Sequence, residues 1–143
     1  MSETLVDALE AQHRALEKAV GEVQAAYAAG HAANVGAKVS AMRKLLEGHL
    51  ALENTQLYPK IVEMAAGRQN MLELAKLFQT NMATIAEGLV QFFERFEGQA
   101  VDLEAFGPEW KTIVETLTAR IKQEEATLHP MFRRLSRMSG VHA

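Results

Sequence analysis

Two stretches of the chain repeat one another without a gap. Residues 46–59 read LEGHLALENTQLYP, and residues 117–130 read LTARIKQEEATLHP. Leucine, glutamate, leucine and proline coincide in the two runs. A proline late in a helix removes one backbone donor and commonly kinks or ends the helix nearby. The matched prolines therefore indicate that the chain contains two copies of one helical hairpin.

Apolar residues recur in steps of three and four along most of the sequence, which is the pattern of amphipathic helices. Start and stop signals, such as Gly30 after the first stripe and Asn70 with Glu73 before the third, delimit four segments. The predicted helices cover about 4–29, 34–66, 70–97 and 108–138. Pro108 is expected in the first turn of the last helix. Short links between these helices predict an all-α fold, an up-down-up-down four-helix bundle that forms a single domain over 1–143.

The composition excludes several classes of function. The 143 residues carry a net charge of -3 and no basic run, which gives no electrostatic reason to expect a nucleic acid or an acidic membrane surface as partner. The absence of cysteine excludes disulfides, thiolate zinc sites, iron–sulfur clusters and a cysteine nucleophile. No apolar run is long enough to span a membrane, and the N-terminus is acidic where a signal peptide would be basic. We therefore expect a cytoplasmic protein.

Five titratable or charged residues lie on helix faces that should point into the bundle: His13, His49, Glu53, Arg120 and Glu124. Burying such groups without partners would be costly. His49 and Glu53 are four residues apart, so both project from the same side of one helix. Mid-helix positions of antiparallel neighbours lie at similar heights, which would let the two histidines and two glutamates converge. Such a set suits one divalent first-row metal ion, such as iron, manganese or zinc.

A lone histidine in the first helix and a longer pattern in the second are informative together. They are His13 and the run His49-x-x-x-Glu53-x-x-x-Leu57-Tyr58-Pro59, with the degenerate echo Glu124-x-x-x-Leu128-His129-Pro130. In these residues, and over nearly its whole length, the chain resembles the hemerythrin-like, or HHE cation-binding, domain family. The resemblance implies a four-helix bundle that holds two non-haem irons bridged by carboxylates. It also implies binding of dioxygen, or sensing of oxygen, nitric oxide or iron.

Position by position, the resemblance implies a role for each inward residue. His13 and His49 match the terminal ligands of one iron, and Glu53 and Glu124 match the two bridging positions. Glu125 is the alternative match for the last bridge, because the family varies that spacing by one residue. The resemblance thus implies a metal site built from His13, His49, Glu53 and Glu124.

The ligands of the other iron are missing from this chain. Where the family has two histidines on the third helix, the apolar stripe offers Phe78 and Met82, and the histidine of the fourth helix is replaced by Arg120. A two-iron oxygen carrier is therefore not expected, and at most one metal ion is predicted. The guanidinium of Arg120 could pair with Glu53 or Glu124 and so supply the positive charge of the second metal.

The predicted function is the binding or sensing of a metal, or of a small ligand such as dioxygen or nitric oxide, with iron favoured over manganese and zinc. The alternative is a metal-free helical module that binds a partner protein or forms a homodimer, and that keeps its His, Glu and Arg residues as a structural network. An enzyme with an iron held by two histidines and one carboxylate is a less favoured third interpretation, because no other catalytic signature is present.

Three further histidines are not expected to bind metal. His31 and His142 are predicted to be solvated, in a link and in a tail. His129 occupies the tyrosine position of the repeat and is predicted at the surface or at the end of the core.

Overall fold

The computed structural model describes residues 3–139, and it folds them into four long helical rods. In chain order, the rods consist of α1 (Glu3–Ala28), then α2 (Ala32–Leu52), π1 (Glu53–Leu57) and α3 (Tyr58–Met64), then α4 (Gln69–Phe96), and finally α5 (Leu103–Gln123), π2 (Glu124–Leu128) and α6 (His129–Ser139). The elements π1 and π2 are single π-helical turns that interrupt the second and fourth rods. The predicted all-α four-helix bundle is confirmed. His142 lies outside the described residues.

The fourth rod begins earlier than the predicted residue 108. Asp102 caps it, because its Oδ1 accepts hydrogen bonds from the backbone N–H groups of Glu104 at 3.1 Å and Ala105 at 3.4 Å. Pro108 consequently lies inside α5 rather than in its first turn, and the prediction of its place was wrong. An aspartate at the N-cap satisfies the otherwise unpaired donors of the first turn, which makes Asp102 a stronger start signal than the proline.

Short connections at 29–31, 65–68 and 97–102 join consecutive rods. Each connection contains one glycine with a positive φ angle: Gly30, Gly67 and Gly98. Left-handed backbone of this kind is accessible to glycine without the steric penalty of a Cβ atom, and it commonly ends helices. The predicted stop at Gly30 is confirmed.

The interior is divided into two apolar regions with a polar layer between them. One apolar region is centred on Phe92, Phe106 and Trp110, and the other on Leu57 and Phe132. We call the buried charged and imidazole residues between them the polar layer; it comprises His13, His49, Glu53, Arg120, Glu124 and His129. The apolar regions on both sides hold the rods together, so the polar layer is not required for hydrophobic cohesion.

The two π-helical turns follow from the matched prolines. Pro59 and Pro130 have no backbone N–H, so neither can make the usual bond to the residue four positions earlier. Instead the N–H of Tyr58 bonds to the carbonyl of Glu53, five residues back, and the N–H of His129 bonds to the carbonyl of Glu124. A π turn accommodates one extra residue and frequently marks a functional site. Each turn therefore starts at a buried glutamate and ends beside an aromatic ring.

We expect Gly36→Ala to destabilise the bundle where α2 passes the connection at 97–102. The backbone N–H of Gly98 bonds to the carbonyl of Gly36 at 2.8 Å, and a Cβ atom on Gly36 would lie 1.8 Å from the carbonyl oxygen of Gln99. Overpacking against backbone should lower the free energy of unfolding by about 2 kcal/mol. The control is Gly21→Ala, which has open space around it and should gain about 0.5–1 kcal/mol. Urea denaturation measures both, and equal stability of the two variants would contradict the packing argument.

Candidate metal centre

The structure brings the four sequence-predicted site residues, His13, His49, Glu53 and Glu124, together in the polar layer. All four are almost fully buried. The Nε2 atom of His13 lies 2.8 Å from Oε1 of Glu124 and 3.2 Å from Nε2 of His49. Nε2 of His49 in turn lies 3.2 Å from Oε2 of Glu53 and 3.6 Å from Oε1 of Glu124. Two ring nitrogens and two carboxylates from three rods thus converge on one point.

The histidines are oriented from outside the polar layer. His13 donates from Nδ1 to Oε2 of Glu125 at 2.7 Å, and His49 donates from Nδ1 to Oε1 of Gln12 at 2.8 Å. Metal-binding histidines usually donate their second ring N–H to such an outer acceptor, which sets the tautomer and the ring orientation. With Nδ1 engaged outside, Nε2 is the atom of each ring that faces the polar layer, where it can meet a carboxylate or a metal ion.

Glu53 is buried without hydrogen bonds. Among residues 3–139, neither of its carboxylate oxygens has a hydrogen-bond partner, although Oε2 is within ion-pair distance of His49. Leaving a buried polar group unsatisfied costs about 1–3 kcal/mol, and more for a charged group. A divalent cation would satisfy these oxygens, and oxygen with imidazole nitrogen is a suitable donor set for iron, manganese or zinc. The residues present therefore fit a bound metal.

The two glutamates differ in the direction of their pKa shifts. Burial raises the pKa of Glu53 above its usual range, and its contact with His49 offsets this only in part. Burial acts on Glu124 in the same direction, but hydrogen bonds from His13 and His49 and the charge of Arg120 hold the pKa of Glu124 well below its usual range. Burial opposes protonation of His49, yet the two carboxylates outweigh it and raise the pKa of His49 to about 9. Without a metal, a proton on His49 thus compensates the carboxylates.

Arg120 pairs with Glu124, one of its two predicted partners. Its Nε donates to Oε2 of Glu124 at 2.8 Å, and its Nη2 donates to the hydroxyl oxygen of Tyr58 at 3.0 Å. The guanidinium carbon lies 4.9 Å from the centre of the Phe78 ring, as in a cation–π contact. By the resemblance described above, Arg120 and Phe78 occupy positions where the family has histidines of its second iron. In this chain the two replacements contact one another.

Glu124 and Glu125 occupy different environments. The side chain of Glu124 is 2% exposed, whereas that of Glu125 is 26% exposed and contacts Arg14 as well as His13. The alternative left open by the sequence therefore resolves geometrically, with Glu124 inward and Glu125 behind His13. His31 is exposed, as predicted.

His129 is the polar-layer residue that sequence reasoning placed wrongly. It is fully buried rather than at the surface, and its ring stacks on that of His13 with a centroid separation of 5.4 Å and an interplanar angle of 13°. The signal that could have found it is its alignment with Tyr58, because both residues directly follow a π turn that begins at a buried glutamate.

A cavity of about 210 Å³ adjoins the polar layer. His13, His49 and Glu124 line it together with apolar side chains that include Leu16 and Leu46. A mostly apolar cavity with a few convergent polar groups is the usual form of a small-molecule site. The polar layer is therefore next to space that a diatomic or similarly small ligand could occupy.

The family model described as "Hemerythrin HHE cation binding domain" matches residues 4–132. No curated protein and no solved structure gives a significant match. None of the helices in the described part of the chain is both long and apolar enough to cross a membrane.

Proposed function

Because the chain belongs to the hemerythrin HHE cation-binding domain family, a family of metal-binding helical domains, we propose that its polar layer binds one divalent metal ion. The ligands are His13, His49, Glu53 and Glu124, and iron is the preferred ion. The observation that carries this proposal is the pair of buried Glu53 oxygens, which lack a hydrogen-bond partner within residues 3–139. A cation beside them would satisfy these buried oxygens.

One ion is proposed rather than two because Arg120 occupies the space of a second ion and supplies positive charge in its place. Its guanidinium is already engaged with Glu124, Tyr58 and the Phe78 ring. The two buried glutamates outnumber Arg120 by a single negative charge, so one divalent ion leaves one excess positive charge. A second divalent ion would leave three, which a buried site does not tolerate.

The proposed role is sensing or binding of a small ligand, such as dioxygen or nitric oxide, at the adjoining cavity. When bound, an iron ion would supply Lewis acidity and one-electron redox chemistry. The protein residues orient the site from outside, through Glu125 behind His13 and Gln12 behind His49. The mostly apolar lining of the cavity would favour a small neutral ligand over a charged one.

Metal loading of the untagged, chelator-stripped protein tests this function. After anaerobic addition of Fe²⁺ and gel filtration, elemental analysis should find about one iron per chain. Ligand present at a hundred times its dissociation constant stabilises by about 2.7 kcal/mol, so the melting temperature should rise by about 5–10 °C. The control is His31→Ala, which removes an exposed histidine and should load equally. Less than a tenth of a metal per chain with iron, manganese and zinc would overturn the proposal, and two irons per chain would overturn the single-ion form.

A metal-free interaction module is the second candidate, favoured by the bonds that Arg120 makes to Glu124 and Tyr58. In that case the polar layer is a structural network, and the function lies in contacts with a partner protein or a second copy of the chain. Large apolar side chains at Leu77 and Val62 are 64% and 53% exposed and would be available to such a partner. Failure of metal loading, together with a dimer in sedimentation analysis, would favour this candidate.

A further inference from the structure

We propose that His129 is an additional nitrogen ligand of the metal, beside His13, Glu53 and Glu124. This inference rests on the proposed metal-binding function. His129 is fully buried, and its Nε2 has no hydrogen-bond partner in the described part of the chain. One ring nitrogen of His129, together with one donor atom each from His13, Glu53 and Glu124, forms a group whose members all lie within 4.8 Å of one another.

The fold delivers this ring to the polar layer by way of π2. His129 follows Glu124 by five residues, and the π turn between them closes with a bond from the N–H of His129 to the carbonyl of Glu124. Because that turn contains one extra residue, positions five apart come to lie on one side of the rod. Arg120 lies four residues before Glu124 on the same rod. Arg120 and His129 therefore approach Glu124 from its N-terminal and C-terminal sides, respectively.

The outer contacts of His129 match those of His13. His129 donates from Nδ1 to Oε2 of Glu10 at 3.0 Å, and Glu10 is backed by Arg133 at 3.8 Å. His13 is held in the same way by Glu125, which is backed by Arg14. Each ring therefore has its Nδ1 engaged outside and its Nε2 directed inward, which is the orientation of ligating histidines.

A purely structural role does not account for the inward nitrogen. At the corresponding place in the second rod the chain has Tyr58, whose hydroxyl oxygen accepts a hydrogen bond from Arg120. Glu10 accepts a hydrogen bond from Nδ1 of His129, so Nε2 is the ring nitrogen that remains to face the polar layer. Within residues 3–139 no hydrogen bond engages this Nε2 atom, whereas a bound metal ion would accept its lone pair.

The test measures zinc affinity by chelator competition in His129→Tyr and His129→Phe, with His31→Tyr as the exposed control. His129→Tyr introduces the residue that the other repeat has at this position, Tyr58, so the variant should still fold. Loss of an outer acceptor typically weakens metal binding about 10–100-fold, so loss of a direct ligand should weaken zinc binding by at least about 100-fold. Glu10→Gln should weaken it about tenfold.

Side-chain nitrogen NMR of the zinc-loaded wild-type protein gives a readout that does not depend on any variant folding. The Nε2 resonance of His129 should shift on loading together with those of His13 and His49. Zinc affinity within threefold of wild type in both variants, or a His129 Nε2 resonance unchanged by zinc, would overturn the inference while leaving the proposed function intact. Absence of zinc and iron binding by the wild type would overturn both.

Discussion

Glu53→Gln is expected to abolish metal binding and, at the same time, to stabilise the metal-free protein. The glutamine amide cannot replace a carboxylate as a ligand in this site, and the metal dissociation constant should rise at least about a hundredfold. In the absence of metal, the same change removes a buried carboxylate whose oxygens have no hydrogen-bond partner within residues 3–139. An amide at this position would also face the neighbouring carboxylate of Glu124 without like-charge repulsion, which is one of the causes that raise the pKa of Glu53. The free energy of unfolding should therefore rise by about 1 kcal/mol, or about 3 °C in melting temperature.

A loss of metal affinity combined with a gain of stability distinguishes a metal-binding carboxylate from a structural one. Metal affinity is measured by chelator competition, and stability by thermal and urea denaturation in the presence of EDTA. The matched control is Glu63→Gln on the exposed face of α3, which should change neither quantity. If Glu53→Gln bound metal as tightly as the wild type, Glu53 would not be a ligand. If the stripped variant were less stable than the wild type by more than about 1 kcal/mol, the unpaired oxygens would not be a defect.

Arg120→Met is expected to cause the largest loss of stability. The substitution leaves Glu124 without its guanidinium partner in a site that is almost fully buried, and it removes the contacts with Tyr58 and the Phe78 ring. Breaking a buried ion pair from one side costs about 3–5 kcal/mol. For a chain of this length the melting temperature should fall by about 10 °C.

The control for Arg120 is another arginine with both an ion pair and a ring contact. Arg95 pairs with Glu109 and lies over Phe96, but its side chain is 56% exposed. Arg95→Met should therefore cost less than about 1 kcal/mol. Metal should stabilise Arg120→Met more than it stabilises the wild type, since the variant's polar layer carries one more uncompensated negative charge. A loss below about 1 kcal/mol in Arg120→Met would contradict the view that Arg120 neutralises this layer.

By the family resemblance, Phe78, Met82 and Arg120 occupy positions of three histidines, and the structure brings these three residues together. Phe78 supplies a ring face for the guanidinium, and Met82 lines the adjoining cavity together with Arg120. If the polar layer binds a single ion, as proposed, Arg120 supplies part of the positive charge that a second ion would have brought.

Much of this arrangement is local and was predictable. Steps of three and four place His13, His49, Glu53, Arg120 and Glu124 on inward helix faces, because the helical period converts spacing into direction. The absence of cysteine and of the third-helix histidines is visible directly in the chain. These features determined the all-α bundle and its nitrogen-and-oxygen donor set before any packing was known.

Other features depend on groups that are distant in the chain. The burial of His129 requires the π turn that ends at it and the acceptor Glu10, which is 119 residues away. The inward position of Glu124 rather than Glu125 depends on which of two adjacent side chains meets His13 Nε2 and which meets Nδ1. Helical periodicity does not distinguish two adjacent residues near the edge of a helix face. A hydrogen bond does, because its length varies by only a few tenths of an ångström. The sequence therefore determined which polar residues lie in the core, and tertiary packing determined which of them contact one another.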